Sequence, residues 1–128
     1  MIGIDTSTLI DLYKKDEKLQ KLLQSIDEEI VLNDLTYLEL MAALDPKLHK
    51  NEETFYDKLY ENIKSLQLQR CSSKKARDII WNLKKQGKTI HVLDATIASI
   101  YLNNNVTKII TKNKKDFKHI KKITVLEY

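Results

Sequence analysis

Three carboxylates stand in stretches of this chain that are otherwise without charge. Glu39 is the only charged residue between Leu35 and Leu44, and Asp94 the only one between Ile90 and Leu102. Asp5 directly follows the apolar run Ile2-Gly3-Ile4. A carboxylate buried without compensation costs several kcal/mol or titrates to neutral, so each of these groups needs a partner. No Lys or Arg lies in any of the three local segments. A divalent cation would compensate several carboxylates at once. Oxygen donors without cysteine and without paired histidines point to Mg²⁺ or Mn²⁺ rather than zinc. The alternative is structural: Asp5 and Asp94 are each placed to be helix N-caps, and Glu39 could pair with a lysine from elsewhere.

The elements that must position these groups follow from periodicity. Ile2–Ile4 reads as a strand, and Asp5-Thr6-Ser7-Thr8 as the capping turn of a helix through Tyr13. A second amphipathic helix covers Glu17–Ile26, with Leu19, Leu22, Leu23 and Ile26 on one face. Ile30–Leu32 is a second strand, and Asn33-Asp34 caps a helix through Leu44, stopped by Pro46. Glu52–Leu66 reads as one long helix, with a short strand at Leu66–Leu68. Ser72 or Ser73 caps the next helix, which Gly87 closes. Asp94 opens a helix through Leu102, and the run Asn103-Asn104-Asn105 ends it. Lys108–Thr111 is a strand, a short helix follows Asn113, and Ile123–Leu126 is the last strand. Short apolar strands alternating with helices make the class α/β, with a mainly parallel sheet. In such a sheet the carboxyl ends of the strands converge on one edge, where ligands bind. Asp5, Asp94 and Asp116, which follows the Thr111 strand by a tight loop, could meet there.

Composition narrows the class further. The 128 residues fit one domain, 1–128, and 42% apolar content suffices for a core. No apolar run is long enough to span a bilayer, and no basic segment precedes an apolar one at the N-terminus. A cytoplasmic protein is expected. The single Cys71 excludes an internal disulfide and a cysteine-based zinc site. Of the net charge of +4, the stretch Lys108–Lys122 alone carries +6, through seven lysines and Asp116. Such a cluster is the footprint of a phosphate-backbone contact, or else a solvated surface. Trp81 is expected in the core or an interface, Tyr56 and Tyr60 in half-buried packing, and Cys71 as a small buried hydrophobe. His49, His91 and His119 are scattered and form no pair at helical spacing.

The joint pattern resembles the PIN-domain nucleases, and within them the short toxins of VapBC-type toxin–antitoxin pairs. The segments that carry the likeness are Ile4-Asp5-Thr6-Ser7-Thr8-Leu9-Ile10-Asp11, Leu38-Glu39-Leu40, Leu93-Asp94-Ala95-Thr96-Ile97-Ala98 and Ile110-Thr111-Lys112-Asn113-Lys114-Lys115-Asp116-Phe117. The resemblance implies a three-layer α/β/α sandwich around about five parallel strands. It also implies an endoribonuclease dependent on Mg²⁺ or Mn²⁺, with Asp5, Glu39, Asp94 and Asp116 as the acidic quartet. Asp5 and Asp94 would contact metal directly, Glu39 directly or through water, and Asp116 would hold a second metal or position water. Thr6, Thr111 and Asn113 would support the pocket. Lys112, Lys114, Lys115 and Lys118 would contact the RNA backbone. A small antitoxin protein and a homodimer are the implied partners. A PIN fold that binds RNA or protein without cleaving, and a housekeeping RNA-maturation nuclease, are the alternatives.

Overall fold

The computed structural model describes residues 1–128. In chain order its elements are β1 (Ile2–Ile4), α1 (Thr6–Tyr13), α2 (Glu17–Gln24), β2 (Ile30–Asn33), α3 (Asp34–Ala42) and α4 (Lys50–Asn62). There follow β3 (Ser65–Leu66), α5 (Arg70–Lys85), α6 (Val92–Asn103), β4 (Lys108–Ile110), α7 (Lys114–Phe117) and β5 (Thr124–Leu126). The five strands form one sheet in the order β3-β2-β1-β4-β5, and every pairing is parallel. The α/β class and the five-stranded parallel sheet are as expected from sequence.

Both faces of the sheet are covered, so alternate residues of each central strand enter different cores. Ile4 and Leu32 pack with Leu9, Leu40 and Tyr56 on the side of α1 and α4. Ile2 and Ile110 join Leu19 from α2. Val31 and Ile109 point the other way, among Ile97, Ile100, Tyr101 and Phe117 from α6 and α7. These are the two helical layers of the sandwich.

Gly3 is where α6 comes closest to the sheet. A Cβ at this position would stand 2.6 Å from the Tyr101 ring. The ring comes close enough to β1 for its hydroxyl to donate to the Ile4 carbonyl at 2.5 Å. The same oxygen accepts from the Ile4 amide and from Asn33 Nδ2, both at 3.0 Å. One buried phenol thus ties α6 to β1 and β2 just below the edge that carries the acids.

Helix ends account for most boundary differences. α6 begins at Val92, one turn earlier than expected, because His91 Nδ1 accepts from the Leu93 amide. Asp94 is therefore not its N-cap but a residue of its first turn. α5 begins at Arg70, with Gln69 and Ser72 forming a reciprocal capping box, so Ser72 lies inside the helix rather than before it. Gly87, at φ 74°, closes α5: the Lys88 amide reaches the Leu83 carbonyl at 2.9 Å and the Gly87 amide that of Lys84 at 3.0 Å. Asn105, at φ 59°, ends α6 in the same way. Cys71 and Trp81 are exposed, not buried, because both fall on the solvent side of α5. Tyr56 is fully buried and Tyr60 is partly so.

Candidate active site

The strand order reverses direction between β1 and β4, since the chain runs outward from β1 through β2 to β3 on one side and from β4 to β5 on the other. That reversal opens a crevice at the carboxyl ends of β1 and β4, the usual ligand position in such sheets. The register pairs Ile4 with Ile110, so Asp5 and Thr111 emerge side by side. Asp5 is 3% exposed. It is the N-cap of α1 as well, its Oδ1 accepting from the Thr8 amide at 3.1 Å and from Ser7 Oγ at 2.9 Å. Its Oδ2 accepts from Thr111 Oγ1 at 2.5 Å. Thr111 Oγ1 in turn accepts from the Asn113 amide at 2.9 Å, and Thr8 Oγ1 donates to the Ile110 carbonyl at 3.0 Å. The first turn of α1 is thereby clasped to the end of β4.

Glu39 comes from the middle of α3, where Thr6 Oγ1 donates to its Oε1 at 2.8 Å. Asp94 comes from the first turn of α6 and Asp116 from α7, both partly buried. Asp94 ties the group together electrostatically. Burial pushes its pKa up to about 6, and the charges of Asp116, Glu39 and Asp5 push in the same direction, with His91 opposing. Asp5 is also raised: burial outweighs the hydrogen bonds from Thr111, Thr8 and Ser7 that favour its charged form. The structure therefore brings all four predicted acids to one edge. None of the four takes part in an ion pair with Lys, Arg or the N-terminus.

In charge and donor type this set suits a hard divalent cation, which prefers carboxylate and water oxygens. Asp5 Oδ1 already accepts from two donors, whereas Oδ2, with Thr111 as its main donor, keeps a lone pair for a cation. No three of the acidic or histidine side chains converge tightly enough to ligate one ion as they stand, in keeping with repulsion among like charges.

The expected pocket supports divide by atom. Thr6 and Thr111 act through their hydroxyls, whereas Asn113 contributes its backbone amide and leaves its side chain exposed. The lysines divide too. Lys112 pairs with Asp11 at 3.5 Å and Lys114 with Glu127 at 2.9 Å, while Lys115 and Lys118 have no acidic partner.

Asn33 caps α3 as expected from sequence, but its contact with Tyr101 and the role of Asp11 were not foreseen. Asn33 is the last residue of β2 and Asp5 directly follows β1, and continuing the register sets the two side by side. Its side chain caps α3 through Thr36 and reaches Tyr101. Asp11 is buried on α1, accepting from the Tyr128 hydroxyl at 2.6 Å and pairing with Lys112. The position of Asn33 at a strand end was a usable signal. Nothing in the spacing linked Asp11 to a residue 117 positions away.

The sequence profile of the PIN domain matches residues 2–123. The chain belongs to the PIN domain family. Its fold is shared with chains of several solved toxin–antitoxin complexes. A chain of VapBC2 from Rickettsia felis, bound to a DNA fragment of its promoter, superposes with a TM-score of 0.85 at 18% identity, covering 100% of this chain and 99% of that one. VapBC-1 from nontypeable Haemophilus influenzae gives 0.79 at 24% identity, over 99% and 98%. VapC20 of Mycobacterium tuberculosis, described as a toxin that cleaves the sarcin–ricin loop, gives 0.68 at 12% identity, over 85% and 87%. No curated protein matches the chain by sequence.

Proposed function

We propose that this PIN domain is a divalent-cation-dependent endoribonuclease and the toxin of a type II toxin–antitoxin pair. One observation carries the reading: four carboxylates from four separate elements share the switch-point edge of the sheet, and no protein cation neutralises them. Asp5 and Asp94 would hold Mg²⁺ or Mn²⁺ directly, Glu39 directly or through water, and Asp116 would serve a second ion or position water. When bound, the cation supplies an activated water and stabilises charge on the scissile phosphate. The chain's own contribution is preorganisation. Ser7, Thr111 and the Thr8 amide fix the Asp5 carboxylate, and Thr6 orients Glu39.

RNA as substrate accords with the activity described for the Mycobacterium tuberculosis structure. Lys115 and Lys118 are free to meet its backbone, Lys114 could exchange its exposed partner Glu127 for a phosphate, and the exposed Lys112 could turn from the buried Asp11 to another. A small antitoxin is the expected protein partner, since several structural neighbours are complexes of that kind. A homodimer in the cytoplasm completes the proposal. No helix is long and apolar enough to cross a membrane.

A non-cleaving PIN fold has one observation in its favour: Asp5 caps α1 and binds Thr111, which is structural work. Induced expression in a bacterial host, followed by sequencing of newly formed RNA 5′ ends, separates the readings. Wild type should arrest growth and produce discrete new ends, and Asp94→Asn should produce neither. New ends that persist in folded Asp5→Asn and Asp94→Asn would remove the quartet from the chemistry.

A further inference from the structure

The α5 region carries a second basic run. Residues 70–88 hold seven Lys and Arg against Asp78 alone, a net +6 equal to that of Lys108–Lys122. The two stretches together carry +12 and leave the rest of the chain at −8. On α5 the charges are ordered. Lys74, Arg77, Trp81 and Lys84 recur at spacings of three and four, which puts them on one helical face. Lys88 continues that line just past the Gly87 cap, whose bonds fix where it leaves the helix. The opposite face, through Ala76, Ile79 and Leu83, is packed against the core.

Trp81 stands in the middle of the basic line with 54% of its surface exposed. The Lys84 ammonium lies 4.6 Å from the ring centroid. A half-exposed indole flanked by cations is an arrangement that binds single-stranded nucleic acid: a stacking platform for a base, with charges beside it for the phosphates. The line also leads to the candidate active site. α5 packs against α6, and its C-terminal end adjoins the N-terminal end of α6, where Asp94 sits. Lys88 Nζ lies 3.3 Å from His119 Nδ1, in the loop just after α7. Lys88 and Lys118 both bear electrostatically on His119. Lys88 is thus the point at which the α5 line meets the basic segment that follows α7.

We infer that the Trp81-centred face of α5 is an RNA-binding exosite, which holds single-stranded substrate by stacking on the indole and by phosphate contacts from Lys74, Arg77, Lys84 and Lys88 and leads it toward the acidic edge. The inference deepens the nuclease reading and rests on it for the substrate class. Charge decides the occupant. A second copy of the same face would set like charges against like, whereas a polyanion is complementary at every position.

The test is fluorescence anisotropy of a labelled single-stranded oligouridine with the full chain, in chelator so that no cleavage occurs, across a salt series. Mn²⁺ calorimetry on the same variants runs beside it. Trp81→Ala should weaken binding about tenfold, and Trp81→Phe should recover part of the loss. Lys84→Ala with Lys88→Ala should reduce the slope of log K against log salt by about 1.4, the value for two released counterions on a single strand. All variants should bind Mn²⁺ as wild type does. Oligouridine affinity unchanged by these substitutions, or no binding by wild type, overturns the exosite. So does a wild-type dimer that Trp81→Ala converts to monomer in sedimentation, which would make the face a protein interface. If RNA binding responds as expected but no form binds Mn²⁺, the exosite stands and the metal quartet falls.

Discussion

Asp94 lies in the first turn of α6, where the helix dipole favours a negative charge. Its pKa nevertheless rises to about 6, so burial and the three neighbouring carboxylates outweigh the dipole. The consequence for stability has a definite sign. Between 3.8 and about 6 the folded protein holds a proton that the unfolded chain has released, so stability falls as pH rises through that window and stays reduced above it. In chelator, the urea midpoint should therefore drop across this range. Asp94→Asn should flatten the profile and leave the metal-free protein more stable at neutral pH by about 1 kcal/mol, the shift being discounted for the partial exposure of the group. Asp5 shifts the same way. Thr111 offers a contrasting test, because its hydroxyl both donates to Asp5 and accepts from the Asn113 amide. Thr111→Val keeps the shape and removes both bonds, which should cost about 2 kcal/mol in urea unfolding. At this scale the sequence was legible for the acids, because a lone carboxylate among apolar residues stands out. The Asn33 cap was legible as well, but not its contact with Tyr101, nor the role of Asp11, which depends on Tyr128 far along the chain.

Elements were easiest to read where a single residue type has one job. Gly87 and the asparagine run ended α5 and α6 as expected, since a left-handed residue after a helix is a strong local signal. Helix starts were harder. Asp94 is chemically fit to be an N-cap, but His91 takes that place and moves Asp94 into the helix. Gln69 is a rare capping residue, so the capping box with Ser72 had no clear signature. β3 is two residues long at the edge of the sheet, Ser65–Leu66, and the short strand expected at Leu66–Leu68 meets it only at Leu66. The junction between α6 and β1 depends on Gly3 and Tyr101. Gly3→Ala would drive a methyl group into the phenol ring and displace α6, with Asp94 on it. It should destabilise the fold by about 2 kcal/mol. Tyr101→Phe leaves the ring in place but deprives Asn33 and the Ile4 amide of a buried partner, at a similar cost. Thermal unfolding of both variants checks this. A midpoint unchanged in Gly3→Ala would contradict the close approach.

At the scale of the molecule, the two strongest concentrations of positive charge are the α5 region and Lys108–Lys122. Four of the 18 acids gather at the carboxyl edge of the sheet, and basic residues line α5 and the segment around α7. A cation-binding edge next to a polyanion-binding track is the layout the proposed chemistry needs, and it predicts that RNA binding weakens steeply with salt while Mn²⁺ binding responds less. The α5 track was hidden in the sequence because its charges are interleaved with the inward-facing residues of an amphipathic helix. The Lys108–Lys122 cluster was visible because it is nearly contiguous. The central claim is that the four carboxylates form a metal site, and calorimetric titration of Mn²⁺ into wild type and Asp94→Asn, with both shown folded by circular dichroism, tests it most directly. Saturable binding in wild type that is lost in the folded variant is the predicted result. Absence of binding in wild type at millimolar Mn²⁺, or equal binding by both proteins, would contradict it.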